Sequence, residues 1–300
     1  MHNNGGLKLL FVINPVSGGK EKNDWEAEIR KSFSESIHSI EFYIIQKNHD
    51  KASILHYVNT LKPDRVIAVG GDGTVKLVAE ILRGSDTILG ILPAGSANGM
   101  AKELKIPEEL EKALTIAIGS PGRRIDLLEV NNDHMCIHLS DIGLNALLLK
   151  YFEKSKIRGM IGYSLALFKV LGGKQKFEAN IKTDKESINR KAFMIVIANA
   201  GSYGTGAVIN PESNLSDGSF EVVVIRKLHL FELFKMLITH KPFDPECVEI
   251  FKANSLEINI ARKTYFQIDG EFLGKVNSVN VKMLHRALRV AIPDEAKIEN

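Results

Sequence analysis

The stretch Val69-Gly70-Gly71-Asp72-Gly73-Thr74-Val75 crowds three glycines around one carboxylate. It joins the apolar run Arg65–Val69 to Thr74–Leu82, whose apolar spacing predicts a helix. Glycine admits backbone conformations closed to other residues and lets a ligand come close to the main chain. A helix N-terminus adds unsatisfied N–H groups and a partial positive charge. Together they suit an anion, phosphate above all, with Gly70, Gly71 and Gly73 giving the turn and Thr74 capping the helix. Asp72 would repel phosphate unless a metal ion stands between them or the carboxylate handles a proton. A plain strand-to-helix turn with a capping Asp is the simpler alternative.

Two further loops share this character. Asn14-Pro15-Val16-Ser17-Gly18-Gly19-Lys20 follows the apolar run Lys8–Ile13, and Pro93-Ala94-Gly95-Ser96-Ala97-Asn98-Gly99 follows Thr87–Leu92. The first is not a Walker A loop, since Glu21 follows Lys20 where Ser or Thr belongs, and neither it nor the Gly70–Thr74 loop fits the dinucleotide fingerprint GxGxxG. Three polar, glycine-rich loops after three strands of one parallel sheet lie where open α/β sheets bind ligands.

The elements that must position these loops alternate. Strands are predicted at Lys8–Ile13, Ile40–Ile45, Arg65–Val69 and Thr87–Leu92. Helices are predicted at Asp24–Phe33, Ala52–Leu61, Thr74–Leu82, from about Ala97, and over Glu108–Ile118. This alternation implies an α/β domain with a parallel sheet covered on both faces. After Pro121-Gly122 the texture changes to β-branched segments parted by turn residues. They run from Arg124–Val130 through Phe193–Ala198, Phe220–Ile225, Leu256–Ile260 and Tyr265–Ile268 to Leu288–Ile292. Helical insertions are expected near Tyr151–Leu171 and Leu228–Thr239. The expected division is residues 1–122, with a tail from about 290 to 300 packing back on them, and a β-rich domain over 123–290.

Bulk properties set the class. The chain has 300 residues, 44% hydrophobic and 25% charged, with a formal net charge of +3. That charge is too small to argue for nucleic acid. Cys136 and Cys247 lie apart in apolar runs and read as buried thiols of a reducing compartment. The first residues lack a signal-peptide profile, and no apolar run reaches the ~20 residues of a membrane span. A cytoplasmic protein able to visit a membrane surface is expected.

The motifs NPVSGGK, GGDGT, PAGSANGMA and IDGE, in this order, resemble the diacylglycerol kinase catalytic-domain family, which includes bacterial soluble lipid kinases and is related to sphingosine and ceramide kinases. GGDGT alone is shared with NAD kinases and phosphofructokinases. The resemblance implies a nucleotide-binding domain of the NAD kinase and phosphofructokinase type and a mostly antiparallel β-sandwich as the lipid-acceptor domain. It implies transfer of a phosphoryl group from ATP to a lipid hydroxyl. Asn14, Ser17, Gly18, Gly19, Lys20, Gly70, Gly71, Asp72, Gly73 and Thr74 would bind the nucleotide, with Gly95, Ser96 and Asn98 lining the same cleft. Asp217, in Leu215-Ser216-Asp217-Gly218, matches a ligand of a structural Mg²⁺. Asp269 and Glu271 match the second-domain DGE motif. In bacterial diacylglycerol kinases an Asp usually follows the Asn of the third motif; Gly99 stands there instead, a pattern nearer the sphingosine and ceramide kinases.

Phosphoryl transfer needs positioned phosphates, charge neutralisation and an acceptor for the hydroxyl proton. Asp269 is expected to take the proton and Asp72 to organise nucleotide and metal. Asp269-Gly270 is also a favoured hairpin-turn pair. The basic and apolar segment Lys150–Lys176 suits an anionic membrane surface, or is a solvated face over a core helix. Gly201–Gly206 is a further glycine-rich loop. An edge strand of the second domain could pair with another copy to give a homodimer. The alternatives are an NAD kinase and a nucleotide-binding regulator without catalysis. Serine-hydrolase and zinc chemistry lack GxSxG, HExxH and paired CxxC.

Overall fold

The structure is a computed structural model, and it describes residues 6–17, 24–46, 51–144, 146–147, 176–201, 214–227 and 246–294. Gly18, Gly19 and Lys20, both expected helical insertions, all but the last residue of Lys150–Lys176 and all but the first of Gly201–Gly206 lie outside them. The chain forms two compact units, one of residues 1–125 and 286–300, the other of residues 126–285.

Unit 1 is built on β1 (Lys8–Ile13), β2 (Ser39–Ile44), β3 (Arg65–Gly70) and β4 (Ile88–Pro93). Its helices are α1 (Trp25–Ser32), α2 (Lys51–Leu61), α3 (Asp72–Leu82), α4 (Gly99–Glu103) and α5 (Leu110–Gly119). The strands pair in parallel in the order β4-β3-β1-β2. Every residue of β3 and β4 is buried, as a sheet covered on both faces requires. On α3, Val75, Val78, Ala79 and Leu82 are buried, a helical stripe facing the sheet. Gly90 lets α5 close on β4: a Cβ there would stand 2.9 Å from the Ala117 Cβ. The chain's last segment returns to this unit, where Val290 pairs in parallel with Leu89.

In unit 2, β5 (Arg123–Val130) leads into β6 (His134–Cys136) and β7 (Leu139–Gly143). Then come β8 (Phe177–Thr183), β9 (Ser187–Ala192), β10 (Met194–Ala198), β11 (Phe220–Ile225) and β12 (Val248–Ala253). The long β13 (Ser255–Ile268) and β14 (Glu271–Val290) close the series. The pairings between unit 2 strands are antiparallel, and the unit is a β-sandwich. Segments expected as separate strands merge: Leu256–Ile260 and Tyr265–Ile268 are two halves of β13. A bulge separates those halves. Asn259 faces Ser278 and Thr264 faces Val276, so Ile260–Lys263 oppose only Asn277. The first half pairs with β8 and the second with β7, so one strand serves two parts of the sandwich. The core gathers Phe177, Ile195, Phe220, Val222, Ile258 and Phe266. No helix among the described residues is long and apolar enough to cross a membrane.

Candidate active site

The loops after β1, β3 and β4 meet at the strands' C-terminal ends. The Asn14 backbone N–H donates to the Val69 carbonyl at 3.0 Å, and Ala94 N–H to Gly70 O at 2.9 Å. The Asn14 side chain bridges two loops: its Nδ2 donates to Thr74 Oγ1 at 3.2 Å, while its Oδ1 accepts from Val16 N–H. Ser17 N–H closes the turn onto Asn14 O at 3.3 Å.

The glycines of the second and third loops touch backbone to backbone. A Cβ on Gly95 would stand 2.4 Å from Gly71 Cα, and a Cβ on Gly70 2.3 Å from Thr74 Oγ1. Neither position has a positive φ, so close approach is what demands glycine. Gly73 differs, because nothing lies within 4 Å of a Cβ built there. It lies in the first turn of α3, which begins at Asp72, earlier than the expected Thr74. Its N-cap is Gly71, and no side chain caps it. Thr74 is therefore inside the helix, where it is buried and receives Asn14 instead of capping.

Asp72 has a role that spacing did not reveal. Gly99 N–H donates to its Oδ2 at 3.0 Å and Met100 N–H to its Oδ1 at 2.9 Å. It thus caps α4 from 27 residues away and ties the second loop to the third. Asn98, left-handed at φ 51°, accepts from Gly95 N–H at 2.8 Å through Oδ1 and donates through Nδ2 to Gly95 O and Glu108 Oε1. Glu108, which the sequence did not single out, thereby orients the loop. Ser96 is exposed on it. The two helix starts are thus unequal: the first N–H groups of α4 are spent on Asp72, while α3 presents its first turn uncapped.

Asp269, Glu271 and Asp217 lie in unit 2. Asp269 and Gly270 have φ of 50° and 83° and form the two-residue turn joining β13 to β14. The Asp269 carboxylate accepts from Ile137 N–H at 3.1 Å, His138 N–H at 2.9 Å and Leu139 N–H at 3.2 Å, and the Cys136 thiol lies 3.4 Å away. These bonds fix the turn against the β6–β7 connection. Glu271 is exposed at the start of β14.

Asp217 accepts from Ser219 N–H and Oγ at 3.0 and 2.8 Å and from Lys252 Nζ at 2.8 Å. Burial pushes its carboxyl up, but the Lys252 and Ser219 donors outweigh this and hold it below the usual carboxylate range. An ammonium thus already neutralises the carboxylate expected to hold a structural Mg²⁺. No group of three or more His, Cys, Asp or Glu suited to a metal occurs among the described residues. Those around Asp217 do not fit such an ion. Asp72 fits a Mg²⁺ that arrives with a nucleotide, since such ions keep waters and need one or two carboxylates beside the phosphates.

A model of the diacylglycerol kinase catalytic domain matches residues 8–130, and one of the YegS C-terminal NAD kinase beta sandwich-like domain matches residues 140–292. A Bacillus subtilis protein named diacylglycerol kinase is 26% identical over 297 residues, spanning 96% of this chain and 97% of its own. A Chromohalobacter salexigens protein named probable lipid kinase YegS-like is 30% identical, spanning 69% of each chain. The fold is also that of a solved structure titled a putative diacylglycerol kinase from Bacillus anthracis, with a TM-score of 0.78 at 22% identity, covering 96% of this chain and 98% of that one.

Proposed function

The chain belongs to the diacylglycerol kinase catalytic-domain family and is a lipid kinase, and we propose that it transfers the γ-phosphoryl group of ATP to a hydroxyl of a diacylglycerol-like or sphingoid lipid with the help of Mg²⁺. The observation that carries this reading is the pairing of an uncapped α3 start with the open space at Gly73, walled by the Gly71–Gly95 contact. Amide N–H groups at a helix start hold phosphate oxygens without a desolvated side-chain charge. Asn14, Ser17 and Thr74 set the first loop beside them, and Lys20, which follows in sequence outside the described residues, is the proposed cation for the phosphates. Asp72, fixed by α4, has its carboxylate oriented before the nucleotide arrives, which lowers the entropy cost of assembling the site. A Mg²⁺ bound with the triphosphate neutralises charge that builds on the transferring group.

Asp269 takes the proton of the attacking hydroxyl, and its bonds to three consecutive backbone N–H groups hold it rigidly for that task. Glu271, two residues on, adds a second carboxylate to the same turn. Gly99 offers no carboxylate where a bacterial diacylglycerol kinase usually carries an Asp, so the proposed acceptor range is not confined to diacylglycerol. The acceptor is met at a bilayer surface by peripheral association.

The test is incubation with γ-labelled ATP, Mg²⁺ and, separately, diacylglycerol, monoacylglycerol, a sphingoid base, ceramide and NAD. Label should pass into an organic-extractable product with at least one lipid. Label on NAD alone, or on no acceptor, would overturn the proposal.

A further inference from the structure

Unit 2 contains a pocket of about 730 Å³ that no step above uses. Its described lining brings together Lys176, Arg262, Lys263 and Lys275, all exposed and none in an ion pair among the described residues. Its one described carboxylate, Glu178, is already matched by Lys191 at 2.7 Å. Lys176 Nζ stands 5.2 Å from the Phe193 ring centroid and Lys275 Nζ 4.6 Å from that of Tyr265, so two of the cations are held against aromatic faces that also line the pocket.

The backbone is shaped for this arrangement. Arg262 and Lys263 sit in the β13 bulge, where residues 260–263 face a single residue of β14, and bulges re-aim side chains away from a regular ladder. Gly143, at φ 111°, lies in the wall at a point where a Cβ would strike the Phe193 carbonyl at 2.4 Å. The pocket is separate from the Asp269 turn. Asp269 N–H binds the carbonyl of Leu139 at one end of β7, and the pocket begins at Gly143 at the other, a separation of about 13 Å at 3.3 Å per residue.

We propose that this pocket binds the phosphate of an anionic phospholipid head group in the bilayer, a second lipid beside the acceptor, and so seats unit 2 on anionic membrane. Four cations without an ion-pair partner among the described residues, set around aromatic walls, suit a head group with its charge on phosphate and its glycerol and first methylenes against rings. The inference rests on the lipid-kinase reading for its biological sense, but the binding can be measured without turnover.

The experiment is flotation of the full chain with vesicles of phosphatidylcholine alone and with added phosphatidylglycerol, at fixed ionic strength. The wild type should partition preferentially to the anionic vesicles. Arg262→Gln with Lys263→Gln should weaken that partition about 30-fold, each cation near the surface being worth about fivefold. A charge-matched control, Lys31→Gln with Lys227→Gln, should weaken it much less. Equal partition to both vesicles, or equal losses in the two double variants, overturns the site. Displacement from vesicles by millimolar glycerol 3-phosphate, without an equal effect of sulfate, overturns the lipid source in favour of a free phosphate. Turnover of the wild type on an acceptor in neutral detergent is measured in parallel. Its absence with anionic partition intact rejects the kinase reading and leaves the site standing; its presence with equal partition does the reverse.

Discussion

Substituting Gly95 by Ala isolates the contact on which the nucleotide site is built. The backbone at Gly95 is open to any L-residue, so the change acts by volume alone. The new Cβ would stand 2.4 Å from Gly71 Cα, 2.9 Å from Asn98 Oδ1 and 3.1 Å from Gly71 N. Ordinary van der Waals contact begins near 3.4 Å, so the two loops must part by about 1 Å, and overpacking of this kind costs about 1–3 kcal/mol. If the loops relax in the free protein, the same energy is charged to binding, and the ATP dissociation constant rises about 5- to 150-fold. If they do not relax, the cost appears as a fall in Tm of about 2–12 °C. Gly73→Ala is the counterpart. Its Cβ meets nothing in the free protein, and Ala is favoured over Gly in a helix by up to about 1 kcal/mol. Tm should hold or rise while ATP affinity drops, because the methyl enters the space assigned to phosphate. Isothermal titration with a non-hydrolysable ATP analogue, beside thermal melts, measures both. A Gly95→Ala protein with wild-type affinity and Tm would refute the packing argument. A Gly73→Ala protein with wild-type affinity would refute the placement of the phosphates.

Four further outcomes are expected. Asp72→Ala removes the cap of α4 and should lower stability by about 1–2 kcal/mol in denaturant titration, with loss of turnover. Asp269→Asn should abolish transfer, leave ATP binding near wild type and lower stability, since its one amide oxygen cannot serve the N–H groups bound by both carboxylate oxygens; Asp269→Ala should destabilise the chain more, by about 3 kcal/mol or more, since all three backbone N–H groups lose a charged acceptor. Arg190 holds the Glu249 carboxyl below its usual range, and Lys252 and Ser219 outweigh burial to do the same for Asp217. Because these values are depressed in the folded chain, their stabilisation is complete above the ordinary carboxylate value of about 4 and is lost as pH falls through the lowered ones. Tm should therefore be flat from pH 7 to about 5 and drop below about 4, and Glu249→Gln should shallow that drop. Tm without nucleotide should be the same in chelator and in Mg²⁺, since Lys252 already neutralises Asp217, while turnover should require the metal.

The order of elements in unit 1 was legible because buried parallel strands read as apolar runs, such as Leu9-Leu10-Phe11-Val12, and α3 carries a clear stripe. The three loops were legible because glycine clusters at strand ends have few other uses. What Asp72 does was not, because a cap supplied from 27 residues away leaves no local pattern. For the same reason Glu108 passed unnoticed as the partner of Asn98. In unit 2 most of the strands were found but their continuity was not. The sequence Ala261-Arg262-Lys263 reads as a polar break, yet the bulge carries β13 straight through it. β9, of sequence Ser-Ile-Asn-Arg-Lys-Ala, was missed because an exposed strand shows too few apolar residues to register. Asp269-Gly270 was recognised both as a turn pair and as part of a carboxylate motif. It forms the turn, and the side chain's grip on residues 137–139 depends on a contact across more than a hundred residues that no spacing discloses.

The proposed function requires triphosphate to lie against the start of α3. Amide hydrogen exchange with and without an ATP analogue tests it residue by residue. Slowed exchange at Gly71, Asp72 and Gly73, with little change at Gly99 and Met100, whose N–H groups already bind Asp72, is the expected result. Protection confined to Gly99 and Met100, or absent from the α3 start under saturating nucleotide, would contradict it.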